Sequence, residues 1–123
     1  MAIEHLTERK MTPEFKAKWL EALRSGRYAQ GRCYLRTGAN EFCCMGVALD
    51  LIDSTQWRDP YKSQWGDMVI DWKDLRAGDT TEALADAIGL LYSDVKHLAI
   101  VNDREGQCAK DFLQIAEWIE ENV

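Results

Sequence analysis

The run Cys44-Met45-Gly46-Val47-Ala48-Leu49-Asp50-Leu51-Ile52 leaves this chain little choice about its centre. Cys44, Val47, Ala48, Leu51 and Ile52 fall at i, i+3, i+4, i+7 and i+8, and Met45 and Leu49 cover another side. A helix that is apolar around most of its girth has to be surrounded by other elements. Leading into it, Phe42-Cys43-Cys44 sets two adjacent thiols where an extended segment turns into the helix. A thiol at a helix N-terminus can have a lowered pKa and act as a nucleophile. Free cysteine is equally one of the most buried residue types. Gly46, in the first turn, costs up to ~1 kcal/mol of helix propensity relative to alanine. Close backbone packing, or room for a ligand beside Cys43, would account for it.

The rest of the chain supplies the covering elements. Thr12-Pro13-Glu14 is a helix start, with a cap, a proline suited to the first turn and an acid at the positive end of the dipole. Phe15, Trp19, Ala22 and Leu23 follow at helical spacing, and Ser25-Gly26 ends the element. Between Gln30 and Phe42 the pattern predicts a small hairpin, with Cys33 to Arg36 as one strand and Thr37-Gly38-Ala39-Asn40 as its turn. From Asp53 to Thr80 periodicity weakens. Trp57, Tyr61, Trp65 and Trp72 are spread among turn formers there, with Met68-Val69-Ile70 as one short strand. Those aromatics either pin an irregular segment to the core or form a wall for a planar ligand. Further on, Thr80 or Thr81 caps a helix carrying Leu84, Ala87 and Ile88 that stops at Gly89. Ser93 caps the next, with Val95, Leu98 and Ala99 inward, and Asn102-Asp103 and Gly106 break the chain. A last helix places Phe112, Ile115, Ala116 and Ile119 on one stripe.

With 123 residues, 46% of them apolar, the expectation is one domain over residues 1–123. Its class is α+β, mainly helical, with a small β-hairpin before a buried central helix. No apolar run approaches the roughly 20 residues that span a bilayer. The start of the chain lacks a secretory pattern, so the expected compartment is the cytoplasm, with cysteines 33, 43, 44 and 108 reduced. Their spacing matches no paired zinc pattern and only His5 and His97 could assist, so neither a metal nor another cofactor is expected.

Charge divides the chain unevenly. Residues 1–36 hold eight Lys/Arg against four Asp/Glu, whereas residues 37–123 hold seven against seventeen. Solvated faces and intramolecular pairing account for such a split in the plainest way. Alternatively, Arg32 and Arg36, four apart on one strand face with Tyr34 between them, converge on a phosphate or carboxylate. The acidic majority argues against binding duplex nucleic acid and is compatible with a basic protein partner.

Trp19-Leu20-Glu21-Ala22-Leu23-Arg24-Ser25-Gly26, Gly31 to Arg36, Phe42-Cys43-Cys44-Met45-Gly46-Val47, Val101-Asn102-Asp103 and Phe112 to Glu120 occur in this order. The series resembles a group of small phage and bacterial proteins reading W-x-x-A-L-R-S-G, G-R-x-x-L-R, Y-C-C-L-G-V, L-N-D and F-x-x-I-A-x-x-I-E. The group carries no established activity, so the resemblance implies phage or prophage origin rather than a chemistry. Met45 stands where the group commonly has leucine, a volume-conserving exchange.

Two functions are consistent with these residues. The first is a binding protein without catalysis that acts on host machinery in the host cytoplasm. It would cover a host protein, or sequester a small anionic, nucleotide-like ligand through Arg32, Tyr34, Arg36, Cys43, Asn102 and Asp103. The alternative is a cysteine enzyme in which Cys43 attacks, His97 is the base, and Asn102 or Asp103 orients it.

Overall fold

A computed structural model describes residues 8–78, 82–103 and 110–123. Helix α1 (Pro13–Arg24) starts as its sequence requires, with the Thr12 hydroxyl accepting from the Phe15 amide at 3.1 Å. It ends at Ser25, followed by Gly26 at φ +78°. Trp19, Ala22 and Leu23 face inward, and the Trp19 indole donates to the Cys44 carbonyl at 2.9 Å. Helix α2 (Cys44–Ile52) is the central element: residues 44–49 are all buried. It packs against α1, α3 (Glu82–Ile88) and α4 (Tyr92–Asp103). Helix α5 (Phe112–Asn122) closes the core over α1 and α4, burying the expected stripe Phe112, Ile115, Ala116 and Ile119. Asp111 and Gln114 form a reciprocal capping box at its start. The result is one small α+β domain dominated by helices.

The expected hairpin before α2 is built differently. Strand β1 (Ala29–Gln30) pairs in parallel with β2 (Glu41–Phe42), and an isolated antiparallel bridge joins Arg36 to Phe42. Cys33 to Leu35 form no strand, because Cys33 lies in the left-handed region at φ +71° and bends the chain. The turn is as expected: the Asn40 amide reaches the Thr37 carbonyl at 3.0 Å and the Thr37 amide the Glu41 carbonyl at 2.8 Å.

Residues 53–78 are more regular than their sequence suggests. A 3-10 turn (Ser54–Gln56) leads to β3 (Tyr61–Lys62) and β4 (Met68–Val69), an antiparallel hairpin pairing Tyr61 with Val69 and Lys62 with Met68. Thr37 bridges Val69, and the Ile70 amide donates to the Arg36 carbonyl, so the hairpin extends the Arg36–Gly38 segment. Trp57 and Trp72 anchor it: their indoles donate to the Asp50 carboxylate at 2.9 Å and the Asp53 carbonyl at 3.0 Å.

Four smaller expectations change. Ile52 is exposed, since α2 leaves the core after Leu49. Ala85, not Ala87, joins Leu84 and Ile88 inside. At the start of α4 it is Asp94, not Ser93, that accepts from a leading amide, Leu91 at 3.0 Å. Asp94 also takes Arg9 in a two-pronged pair at 2.7 and 2.8 Å, which holds the Arg9 guanidinium's pKa up. Lastly, Asn102 and Asp103 belong to the final turn of α4 rather than to a turn beyond it. Thr80, Thr81, Gly106, His5 and Cys108 lie outside the described residues.

Candidate functional site

The double-cysteine junction is a saturated structural joint. Cys43 caps α2, its sulfur accepting from the Gly46 amide at 3.3 Å, and only 4% of it is exposed. Cys44 is fully buried. Gly46 is there for contact: a Cβ on it would sit 1.9 Å from the Leu35 carbonyl oxygen. Close backbone packing therefore explains the glycine, and the same Leu35 carbonyl accepts from the Cys43 amide at 3.3 Å.

Asn102 locks this joint. It is wholly buried, donating to the Gly31 carbonyl at 2.9 Å while its side-chain oxygen accepts from Gln30 at 3.0 Å and from the Cys44 amide at 3.3 Å. Gln30 also donates to the Lys110 carbonyl at 2.9 Å, and the Arg32 guanidinium donates to the Asn102 carbonyl. One amide thus ties together the segment around β1, the start of α2, the end of α4 and the approach to α5. The carbonyls at the end of α4 form the negative pole of that helix, a fitting place for the Arg32 charge.

His97 lies elsewhere on α4. Five residues before Asn102, it projects about 140° around the helix. Its ring stacks on Trp118 at 4.4 Å with 22° between the planes, and Nε2 is buried without a hydrogen-bond partner among the described residues. Cys43 and His97 are therefore oriented to different neighbours. Asp103 is placed by its backbone in the last turn of α4.

Arg32 and Arg36 do not share a face, because the left-handed Cys33 breaks the alternation their convergence required. Arg36 packs over the Phe42 and Trp57 rings at 5.0 and 5.3 Å and donates to Asn40 at 2.9 Å; it meets no carboxylate among the described residues. Behind it, Tyr28 sets its ring edge against Phe42 and donates to Asp50 at 2.5 Å. Burial, then the bond to Asp50, pushes the Tyr28 pKa up to about 12.

The open feature of this surface is a cleft of about 630 Å³ between the Thr37–Glu41 turn and the β3–β4 hairpin. Arg32, Cys33 and Tyr34 line one side, and Glu41, Asp67 and Met68 also face it. The Tyr34 hydroxyl spans the walls to Asp67 at 3.1 Å. Gly38 lets them meet: its amide donates to the Met68 carbonyl at 2.8 Å, and a Cβ there would lie 2.7 Å from the Met68 Cβ. Beyond the cleft the hairpin tip is tightly bonded. The Ser63 amide donates to the Asp67 carbonyl at 2.7 Å, the Ser63 hydroxyl accepts from the Trp65 and Asp67 amides, and Gly66 turns at φ +92°. Trp65 stands out from that tip 76% exposed, and Met68 and Tyr61 are also exposed, on opposite faces of the hairpin.

A sequence model for a domain of unknown function, DUF8296, matches residues 11–123. The chain belongs to this family. The matched span begins just before α1 and takes in both the buried joint and the cleft, so both are parts of the DUF8296 domain. No curated protein and no solved structure matches the chain.

Sequence reasoning named Arg32 and Tyr34, which line the cleft, but missed Glu41, Asp67 and Met68. The signal for the hairpin was present as Ser63-Gln64-Trp65-Gly66-Asp67, turn formers between Tyr61-Lys62 and Met68-Val69. Among the described residues no group of three or more His, Cys, Asp or Glu could hold a metal ion, and no helix is long and apolar enough to cross a membrane.

Proposed function

We propose that this protein is a non-catalytic binding protein that engages another protein through the Trp65 hairpin and the cleft at its base. The observation that carries this reading is Trp65 itself, 76% exposed on a tip whose backbone is fixed by four hydrogen bonds. Covering that indole contributes on the order of 3 kcal/mol, and a preformed tip loses little entropy on binding. Exposed tryptophan is among the residues most enriched at the energetic centres of protein interfaces. The resemblance to small phage and bacterial proteins makes host machinery in the cytoplasm the target of choice. A protein is favoured over a small anion because Arg32 and Arg36 point to different partners and form no joint anion clamp. Catalysis by Cys43 is the weaker reading, since its thiol is buried as a helix cap while His97 stacks on Trp118.

The test is a photo-crosslinking amino acid placed at position 65 in cells, with position 117 on exposed α5 as control. A discrete adduct at 65 and none at 117 is the expected outcome. Equal labelling at both positions, or none at 65, would reject the hairpin as the contact surface.

A further inference from the structure

We infer that the cleft beneath the Trp65 hairpin receives a lysine or arginine side chain from a basic segment of the partner protein. This rests on the hairpin being the contact surface and adds the chemistry of what it contacts. Glu41 and Asp67 both line the cleft, and neither meets a Lys or Arg within ion-pair distance among the described residues. The one arginine on the wall, Arg32, donates to the Asn102 carbonyl at the negative end of α4, so its charge is answered locally. Two other cations lie on adjoining segments without lining the cleft: Arg36 lies over Phe42 and Trp57, and Lys62 sits opposite Met68 in the hairpin. With two carboxylates against one guanidinium, the lining of the cleft is net negative.

The apolar groups suit the same occupant. Met68 offers a polarisable surface for the methylene stem of a long basic side chain. Trp65, exposed at the tip of the same hairpin, offers an indole face to further cations of the segment. Tyr34 uses its proton on Asp67, which fixes that carboxylate while leaving its other oxygen open to an incoming donor. A volume of about 630 Å³ exceeds one side chain, so flanking residues of the segment lie in the cleft as well.

The probe is an array of decapeptides carrying two to four Lys or Arg around one Leu, with matched arrays carrying Gln or Glu at the same places. Hits are titrated in solution against the full chain. Basic peptides should bind and weaken as salt is raised, while Gln and Glu peptides should not bind. The double variant Glu41→Gln, Asp67→Asn should lose about tenfold in affinity with an unchanged melting temperature, and Arg32→Gln should lose none. Binding of Glu peptides that Arg32→Gln abolishes would overturn the inference in favour of an anionic occupant. If no basic peptide binds while the adduct at position 65 persists, the inference falls and the hairpin remains the contact surface. If that adduct is absent too, both fall.

Discussion

The Cys43–Cys44 joint and the β3–β4 hairpin use their unusual residues in opposite ways. At the Cys43–Cys44 joint every distinctive group is turned inward: a thiol caps a helix, a glycine lets two backbones touch, and a buried asparagine binds three elements. Around the hairpin the distinctive groups face water, with a tryptophan at the tip and two carboxylates in the cleft that meet no cation among the described residues. The most conspicuous motif in a chain can thus be what holds the fold together, and an unpatterned segment can carry the surface that acts. Most buried polar groups stay where they are satisfied, whereas exposed aromatic surface persists for other reasons.

The contrast is broken most directly at Gly46. Gly46→Ala forces a methyl to within 1.9 Å of the Leu35 carbonyl, and backbone cannot step aside as a flexible side chain can. A loss of about 3 kcal/mol or more is expected, enough to abolish folding in a small domain. Circular dichroism melts test this; wild-type stability would mean that the joint is not tightly packed.

Asn102→Ala comes next. It removes three hydrogen bonds and strands the Gly31 carbonyl inside the protein. The expected loss is about 2–4 kcal/mol, read from the midpoint of urea unfolding. A ligand-binding Asn102 would instead leave stability nearly intact and change binding alone.

How far these two regions were legible in the sequence follows from the range of the forces involved. Helices α1, α2 and α5 announce themselves through caps and periodicity that act within a few residues, as Thr12, Cys44 and Phe112 show. Asn102 pairs with residues 58 to 72 positions away, and nothing local distinguishes such an asparagine from a turn former. The expected arginine pair failed for a different reason: one left-handed residue, Cys33, altered which way Arg32 and Arg36 point. In the same way, the cleft joins residues 32–41 to residues 67–68, and their meeting depends on Gly38 lying against Met68.

The seam between the two regions is sensitive to alkali. Asp50, on α2, accepts hydrogen bonds from both Tyr28 and Trp57, so it joins the buried helix to the aromatic segment. Because folding raises the Tyr28 pKa from 10.0 to about 12, the neutral phenol is the form the folded state favours. Its contribution is whole below pH 10 and fades as pH rises to 12. Tyr28→Phe should therefore lose stability at neutral pH yet show a flatter decline between these values. Parallel slopes in the two proteins would place the alkaline loss elsewhere.

The smallest expected effect on the fold is also the one that defines the hairpin. Trp65→Ser removes the largest exposed side chain of that segment, but Ser63 and Gly66 hold the tip through backbone and hydroxyl bonds that do not involve the indole. Stability should change by less than about 0.5 kcal/mol, within the range of ordinary surface substitutions. Removing the indole also relieves apolar exposure, so a slight gain in solubility accompanies the loss of partner contact. Differential scanning calorimetry separates the cases. A loss above about 1 kcal/mol would show that Trp65, like Trp57 and Trp72, is an anchor of the fold, and the contrast between a closed joint and an open hairpin would collapse.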